Sequence, residues 1–181
     1  MRRPMIGLLN QVADADAAYE DFAVWGYGEV LLRAWQCQSA IVRLARNVEL
    51  TVRFDLDGLE VALAWWYAPS EQIERYRAAV AEPAAGRRLV TALRKLERQG
   101  FAVSGDRLKR PLRGYPADHP RAELLRHKSL IASRSLGAED WIHTAAAADR
   151  VLEAFTQLRP LSRWLTENVA LAGREGAPTG G

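Results

Sequence analysis

Apolar and polar residues alternate without interruption from Val48 to Leu56. Val48, Leu50, Val52, Phe54 and Leu56 are interleaved with Glu49, Thr51, Arg53 and Asp55, and after Asp57-Gly58 the alternation resumes at Leu59, Val61, Leu63, Trp65 and Tyr67. A period of two is the mark of a strand with one buried face. Asp-Gly between two such runs predicts a two-residue hairpin loop, whose central positions both need positive φ. That register pairs Leu56 with Leu59, Phe54 with Val61, Val52 with Leu63 and Leu50 with Trp65 on one face. It also sets Asp55 across from Glu60, with Arg53 nearby to offset the repulsion. Trp65 and Trp66 are neighbours on a strand and so point to opposite faces. A lone hairpin is barely stable in water, so helices must cover its apolar side, and the expected fold class is α+β.

The rest of the chain supplies those helices. Val30, Leu31, Ala34, Trp35, Ile41, Val42 and Ala45 recur at helical spacing and predict a helix between Asp14 and about Arg46, interrupted near Gly26 and Gly28. Cys37 is then a small hydrophobe on that helix. Ser70 is placed to cap a helix carrying Glu71, Ile73, Tyr76 and Val80. A further helix is expected from Ala84 to Gln99, with Leu89, Val90, Leu93 and Leu96 inside and Gly100 as its stop. Phe101-Ala102-Val103 reads as a short strand. Asp118 is placed to cap a helix opening at His119-Pro120, and Leu130-Ile131-Ala132 fits either period. Thr144 is placed before a helix with Val151, Leu152, Phe155 and Leu158. Pro160 is read as the start of another, carrying Leu161, Trp164, Leu165 and Val169. The expected organisation is one α+β domain over 1–172 and a disordered tail over 173–181.

Composition narrows the setting. At 181 residues, 49% hydrophobic and 26% charged, the chain can bury a sizeable core. A pI near 9.3 with a formal charge of +3 is compatible with anionic partners. The single cysteine, Cys37, excludes an internal disulfide and fits a reducing compartment. Asp14 and Asp16 follow the initial apolar run too soon for a secretory leader, and no apolar run approaches a membrane span. A cytoplasmic location is expected, with no membrane contact. No cofactor or metal is implied: the chain has no Gly-rich phosphate cradle, no nucleophile elbow and no His-Glu-x-x-His helix.

Charge is concentrated in Gly105–Leu130, GDRLKRPLRGYPADHPRAELLRHKSL. Arg107, Lys109, Arg110, Arg113, Arg121, Arg126 and Lys128 stand against Asp106, Asp118 and Glu123, seven cations less three anions, a local +4. The remainder of the chain is therefore close to neutral. Pro111 and Pro116 fix φ and hold the preceding residues extended, which predicts an ordered basic loop. The candidate ligand-binding residues are Arg107, Lys109, Arg110, Arg113, Tyr115, His119 and Lys128. Arginine forks bind phosphate or carboxylate bidentately, and Tyr115 offers a stacking or hydrogen-bonding face. Against this, charge runs commonly only solvate a loop, pairing weakly with nearby carboxylates. His119, Glu123 and His127 fall at i, i+4 and i+8, a spacing that on a regular helix serves metal ligands, an acid–base pair or merely a solvated face. With Tyr115 as its sole aromatic, the loop lacks the interleaved platforms of a single-strand binder.

The same segment, with its continuation to Arg134, resembles the bacterial domain-of-unknown-function 2461 family, and its actinobacterial members in particular. The likeness continues through Asp140-Trp141-Ile142-His143-Thr144 and Leu158-Arg159-Pro160-Leu161, and extends back to about Val48. It implies shared fold over about 48–170 but no established activity. Members generally carry a second basic motif around Lys-Asp-Lys-x-Pro-Tyr-Lys before the hairpin, and glycines in the following strand. Residues 1–47 lack that core, and Ala62-Leu63-Ala64-Trp65-Trp66 stands where glycines are expected. The leading functional expectation is a protein that binds a phosphorylated small molecule or a nucleic-acid backbone. The alternatives are an enzyme acting on an anionic substrate with His119 as acid and base, and an interaction subunit without a ligand.

Overall fold

A computed structural model describes residues 3–26, 37–110, 114–116 and 118–170. Among these, helix α1 (Arg3–Ala15) leads through a 3-10 turn into strand β1 (Phe22–Gly26). Strands β2 (Cys37–Ala45), β3 (Val48–Asp55) and β4 (Gly58–Trp65) follow, then helices α2 (Ser70–Ala81) and α3 (Pro83–Arg98). Strand β5 (Ala102–Ser104), the single-turn helix α4 (Ala122–Leu125), strand β6 (Leu130–Gly137) and helix α5 (Ala146–Asn168) complete the order. The six strands form one sheet, β1-β2-β3-β4-β6-β5, in which every pairing is antiparallel. The fold is α+β.

One face of the sheet is the core. Val48, Leu50 and Val52 of β3 align with Trp65, Leu63 and Val61 of β4, and the row continues to Val42 and Ala40 of β2 and to Leu130 and Ala132 of β6. All of these are buried. Helix α5 lies across this face, touching β2, β3 and β4 as well as α1, α2 and α3. Its Val151, Phe155, Leu158, Leu161 and Leu165 form one uninterrupted buried stripe. On the other face Glu49, Thr51, Arg53 and Trp66 are at least partly exposed. Trp65 and Trp66 thus divide between faces as their adjacency requires, and Trp66 Nε1 donates to Glu49 Oε2 at 3.0 Å.

The hairpin exists, but its register is shifted by two residues. Asp55 faces Gly58, Phe54 faces Leu59, Val52 faces Val61 and Leu50 faces Leu63. Leu56 and Asp57 form the loop, and Leu56 is 79% exposed instead of paired. Two local interactions account for this. The Asp57 N–H is taken by Asp55 Oδ1 at 2.9 Å, an Asx turn that starts the reversal earlier. Positive φ is needed only at Gly58 (+109°), where any Cβ would collide with the Gly137 carbonyl of β6. The glycine serves strand approach rather than the turn centre. The shift also removes the expected repulsion, because Arg53 now faces Glu60, with Nε 3.6 Å from its carboxylate and Nη2 3.3 Å from Asp55.

Among the described residues of the helix expected from Asp14 to Arg46, only Asp14 and Ala15 are α-helical, at the end of α1, and 22–26 and 37–45 are strand. The helix lies earlier, where Met5, Leu9 and Val12 at i, i+4 and i+7 bury against the core. Residues 37–45 are strand, and Cys37 is a half-buried strand residue rather than a helical one. Gln-Ser-Ala-Ile-Val-Arg-Leu-Ala satisfies either period over so short a span, and pairing with β3 on one side and β1 on the other decides it. Val30, Leu31, Ala34, Trp35 and Gly28 lie outside the described residues, as do residues 173–181. Gly7 sits inside α1, where glycine costs about 1 kcal/mol relative to alanine.

Other boundaries moved by small amounts. Pro69, without a side-chain bond, occupies the N-cap of α2 in place of Ser70, and Gln72 joins Tyr76 and Val80 as its buried residues. Helix α3 is capped by the Glu82 carboxylate, which accepts from the backbone of Ala84 and Ala85, and it ends at Gly100 with φ +85°. Thr144 lies one residue before the N-cap of α5, and its hydroxyl accepts from Ala146 N at 3.2 Å. Pro160 lies inside α5 and does not begin a new helix. It is on the exposed side of the helix, while the buried stripe runs past it.

Candidate functional site

The described parts of the basic segment, 105–110, 114–116 and 118–130, meet the elements around them. The ladder of β5 and β6 continues outward as a two-stranded ribbon in which Arg107 faces His127. Leu108 N donates to Arg126 O at 2.8 Å and Lys128 N to Asp106 O at 2.7 Å. Asp106 N donates to Ser129 Oγ at 2.7 Å. Gly105 opens this ribbon with φ +141°, and any Cβ there would overlap the Ser129 carbonyl. The ribbon grows from the end of β6 that pairs with Trp65, so it occupies the C-terminal end of β4.

Two of the seven cations hold the segment together. Arg126 donates through Nε to Leu108 O (2.8 Å) and through Nη2 to Lys109 O (3.0 Å), while Nη1 meets Glu123 at 2.9 Å. Arg121 donates to Val80 O at 2.6 Å and Ala81 O at 2.9 Å, the open carbonyls at the C-terminus of α2. Cationic groups are favoured there by the helix dipole as well. Tyr76 Oη and Arg77 Nε reach back to Leu124 O and Leu125 O, at 3.1 and 3.3 Å. Burial pushes the Tyr76 phenol far above its ordinary value, so it remains a donor. Loop residues 119–126 are thereby fixed to α2 on one side and to the ribbon on the other.

The predicted ligand residues distribute as follows. Arg107 is 3.9 Å from Glu123, with both side chains more than half exposed. Lys109 and Arg110 are exposed at the ribbon's outer end, and among the described residues neither side chain forms an ion pair or hydrogen bond. Lys128 is exposed too, but it neighbours His127 and so projects to the opposite face from Arg107, across from Asp106. Tyr115, half-buried, meets His119 edge-on at 6.5 Å between ring centroids. Arg113 lies outside the described residues. No ring contact, ion pair or hydrogen bond among the described residues joins the Tyr115–His119 pair to Lys109, Arg110 or Lys128.

The helix that was to align His119, Glu123 and His127 is confined to four residues, so that face does not exist. Its N-cap is Arg121, not Asp118. The Arg121 N–H donates to His119 Nδ1 at 3.1 Å, which places the proton of the neutral ring on Nε2. His127 is buried, and its Nδ1–H donates to Ser129 O at 2.9 Å. Among the described residues no group of three His, Cys, Asp or Glu gathers as metal ligands. The residues that build the ribbon, Gly105, Arg126, His127 and Ser129, were not singled out as such by the sequence. Gly105, immediately after a short strand, was the one visible signal.

Burial holds His127 below the ordinary histidine value of 6.5, and Arg107 and Arg126 add to this against the opposing pull of Ser129 O and Glu123. The folded state therefore binds a proton at His127 less readily than the unfolded chain. As pH falls through 6.5 the unfolded chain takes up that proton first, so stability declines from there toward the lower folded value. Asp16, Glu82 and Glu139 are depressed carboxylates, and their contributions are lost as pH falls through their ordinary values of 3.8 to 4.5 toward the lower folded values, below the range of the His127 effect. Urea unfolding at pH 7.5 and 5.5 is expected to show a lower midpoint at 5.5. His127→Asn, which can keep a donor toward Ser129 O, should remove most of that difference, and an unchanged difference would refute the assignment.

A six-stranded antiparallel sheet with its long helices packed on the core face, extended by a basic ribbon, defines the class as an α+β protein. The profile of the conserved hypothetical protein family DUF2461 matches residues 40–164, and the chain belongs to that family. The match contains the ribbon, α2 to α4 and most of α5, and leaves α1 and β1 outside it. No curated protein and no solved structure matches the chain. Among the described residues no helix is long and apolar enough to cross a membrane.

Proposed function

We propose that this protein binds a phosphate-bearing anion, either a phosphorylated small molecule or a nucleic-acid backbone, at the outer end of the ribbon. The observation that carries the reading is the contrast between Arg121 and Arg126, whose guanidinium groups are occupied by backbone carbonyls, and Lys109 and Arg110. The latter pair is exposed, lacks a carboxylate partner among the described residues, and stands on backbone that Arg126 itself fixes. With the backbone held at Leu108 and Lys109, the freedom lost on meeting a ligand is chiefly that of the side chains. Arg107 is available to the same anion, because an exposed pair at 3.9 Å contributes little. Arg113, two residues past Pro111 in sequence, belongs to the proposed set on the grounds of its planar fork. His119 is proposed as a donor through Nε2 with Tyr115 beside it, and Lys128 adds positive field from the other face.

Titration of a mixed-sequence DNA duplex and, separately, of inorganic pyrophosphate tests this. Three engaged phosphates predict a slope of about −2.7 for log K against log salt with DNA. Lys109→Ala with Arg110→Ala should weaken both ligands and reduce that slope by about 2, without changing the circular dichroism. A wild-type protein that binds neither probe, or a double variant that binds as wild type does, would refute the site. Binding of pyrophosphate alone would identify the small-molecule case. Turnover of a bound phosphoanhydride, lost in His119→Ala, would instead make the site catalytic.

A further inference from the structure

A second cavity lies at the opposite end of β4, roughly 20–25 Å from the ribbon by strand rise. It encloses about 660 Å³, within the usual range for small-molecule sites. Helix α1 contributes Met5 and Leu8, the sheet contributes Phe54 and Leu59, and the turn before α5 contributes Ile142. Gln11, Gln38, His143 and Thr144 are the polar members of its wall. The Thr144 hydroxyl is already engaged, donating to Trp141 O at 2.8 Å and accepting from Ala146 N. Among the described residues no Asp, Glu, Lys or Arg lines the cavity.

Gly7 makes the space more than a packing defect. It lines the cavity from the middle of α1, its φ is ordinary, and a Cβ built on it meets nothing within 4 Å. Neither backbone conformation nor a neighbouring atom requires glycine there, although glycine disfavours the helix. What its missing side chain does is keep the cavity open. Gln11, four residues on, shares that face of the helix and brings an amide to the same wall.

The geometry points to a binding site for an uncharged, mainly apolar small molecule with one or two hydrogen-bonding groups. Its apolar body rests on Met5, Leu8, Phe54 and Ile142, and its polar group meets the amide of Gln11 or the His143 ring. Among the described residues the wall offers a charged ligand no counter-ion. The site is independent of the anion-binding proposal. One wall, α1, lies outside the residues matched by the family profile.

N-Phenyl-1-naphthylamine, a neutral fluorophore with one N–H, is a suitable probe for emission titrations of the full chain. Saturable binding is expected for the wild type. Gly7→Leu should raise Kd at least tenfold, with a melting temperature equal to or above that of the wild type. Should Gly7→Leu not fold, His143→Phe, at an exposed position on the wall, is expected to raise Kd instead. Lys109→Ala with Arg110→Ala should bind the probe as wild type does. No saturable emission up to the probe's solubility, wild-type affinity in a folded cavity-filling variant, or loss of binding in the ribbon variant would each overturn the site.

Discussion

Replacing Trp65 by alanine is expected to lower the free energy of unfolding by about 3–5 kcal/mol. Trp65 has no solvent exposure, stands at the end of β4 between Val48 and Leu130, and stacks on Tyr76 with ring centroids 4.8 Å apart. Its Nε1–H donates to Gln72 Oε1 at 3.2 Å, and Gln72 in turn donates to Arg46 O at 3.1 Å. Alanine would leave a cavity beneath α2 and a buried amide oxygen without its donor, an added cost of about 1–3 kcal/mol wherever water does not enter. Trp65→Phe keeps most of the stacking and should cost less. Urea denaturation of both variants measures this, and a loss under about 1 kcal/mol for alanine would contradict the packing described.

Gly105→Ala is expected to destabilise the protein and to weaken anion binding together. A side chain at φ +141° carries conformational strain of about 1–3 kcal/mol. Relieving the overlap with the Ser129 carbonyl adds a comparable ~1–3 kcal/mol. The cheapest relief is to move residues 105–108 away from 127–129, which breaks the bonds from Asp106 N and Lys128 N. Lys109 and Arg110 would then lose their fixed position, and DNA or pyrophosphate affinity should fall toward that of the Lys109→Ala, Arg110→Ala variant. Gly114→Ala is the control, since its φ is +90° but a Cβ there meets nothing within 4 Å. It should show the conformational cost alone. Wild-type affinity in Gly105→Ala would show that the ribbon's pairing does not support the site.

The legible parts of this fold are those where a local pattern and its tertiary use coincide. The alternation through Val48–Leu56 and Leu59–Trp65 gave strands and the correct core face, and the stripes of α3 and α5 gave their helices. The hairpin register escaped because Asp57-Gly58 reads as a turn centre, whereas Gly58 is required by Gly137, nearly eighty residues later in the chain. Residues 37–45 escaped because two periods fit them and only the neighbouring strands choose. Pro160 misled because the cost of proline in a helix depends on which side of the helix faces water. In the basic segment the ordering expected from its prolines falls partly on residues outside the described ones, Pro111 among them, and the separation of cations by task was not legible. Arg121 and Arg126 look like Arg107 and Arg110 in sequence, and bonding to a distant carbonyl leaves no local pattern.

The position of the ribbon has a consequence for assembly. Strand β5 is the outermost of the sheet and has three residues, so its free side, continued by 105–108, would otherwise invite a strand from another molecule. Lysine and arginine along such a margin repel a like margin from a second copy. Charge-neutral variants made to probe ligand binding should therefore be checked by light scattering, because they also lower the repulsion between two such margins.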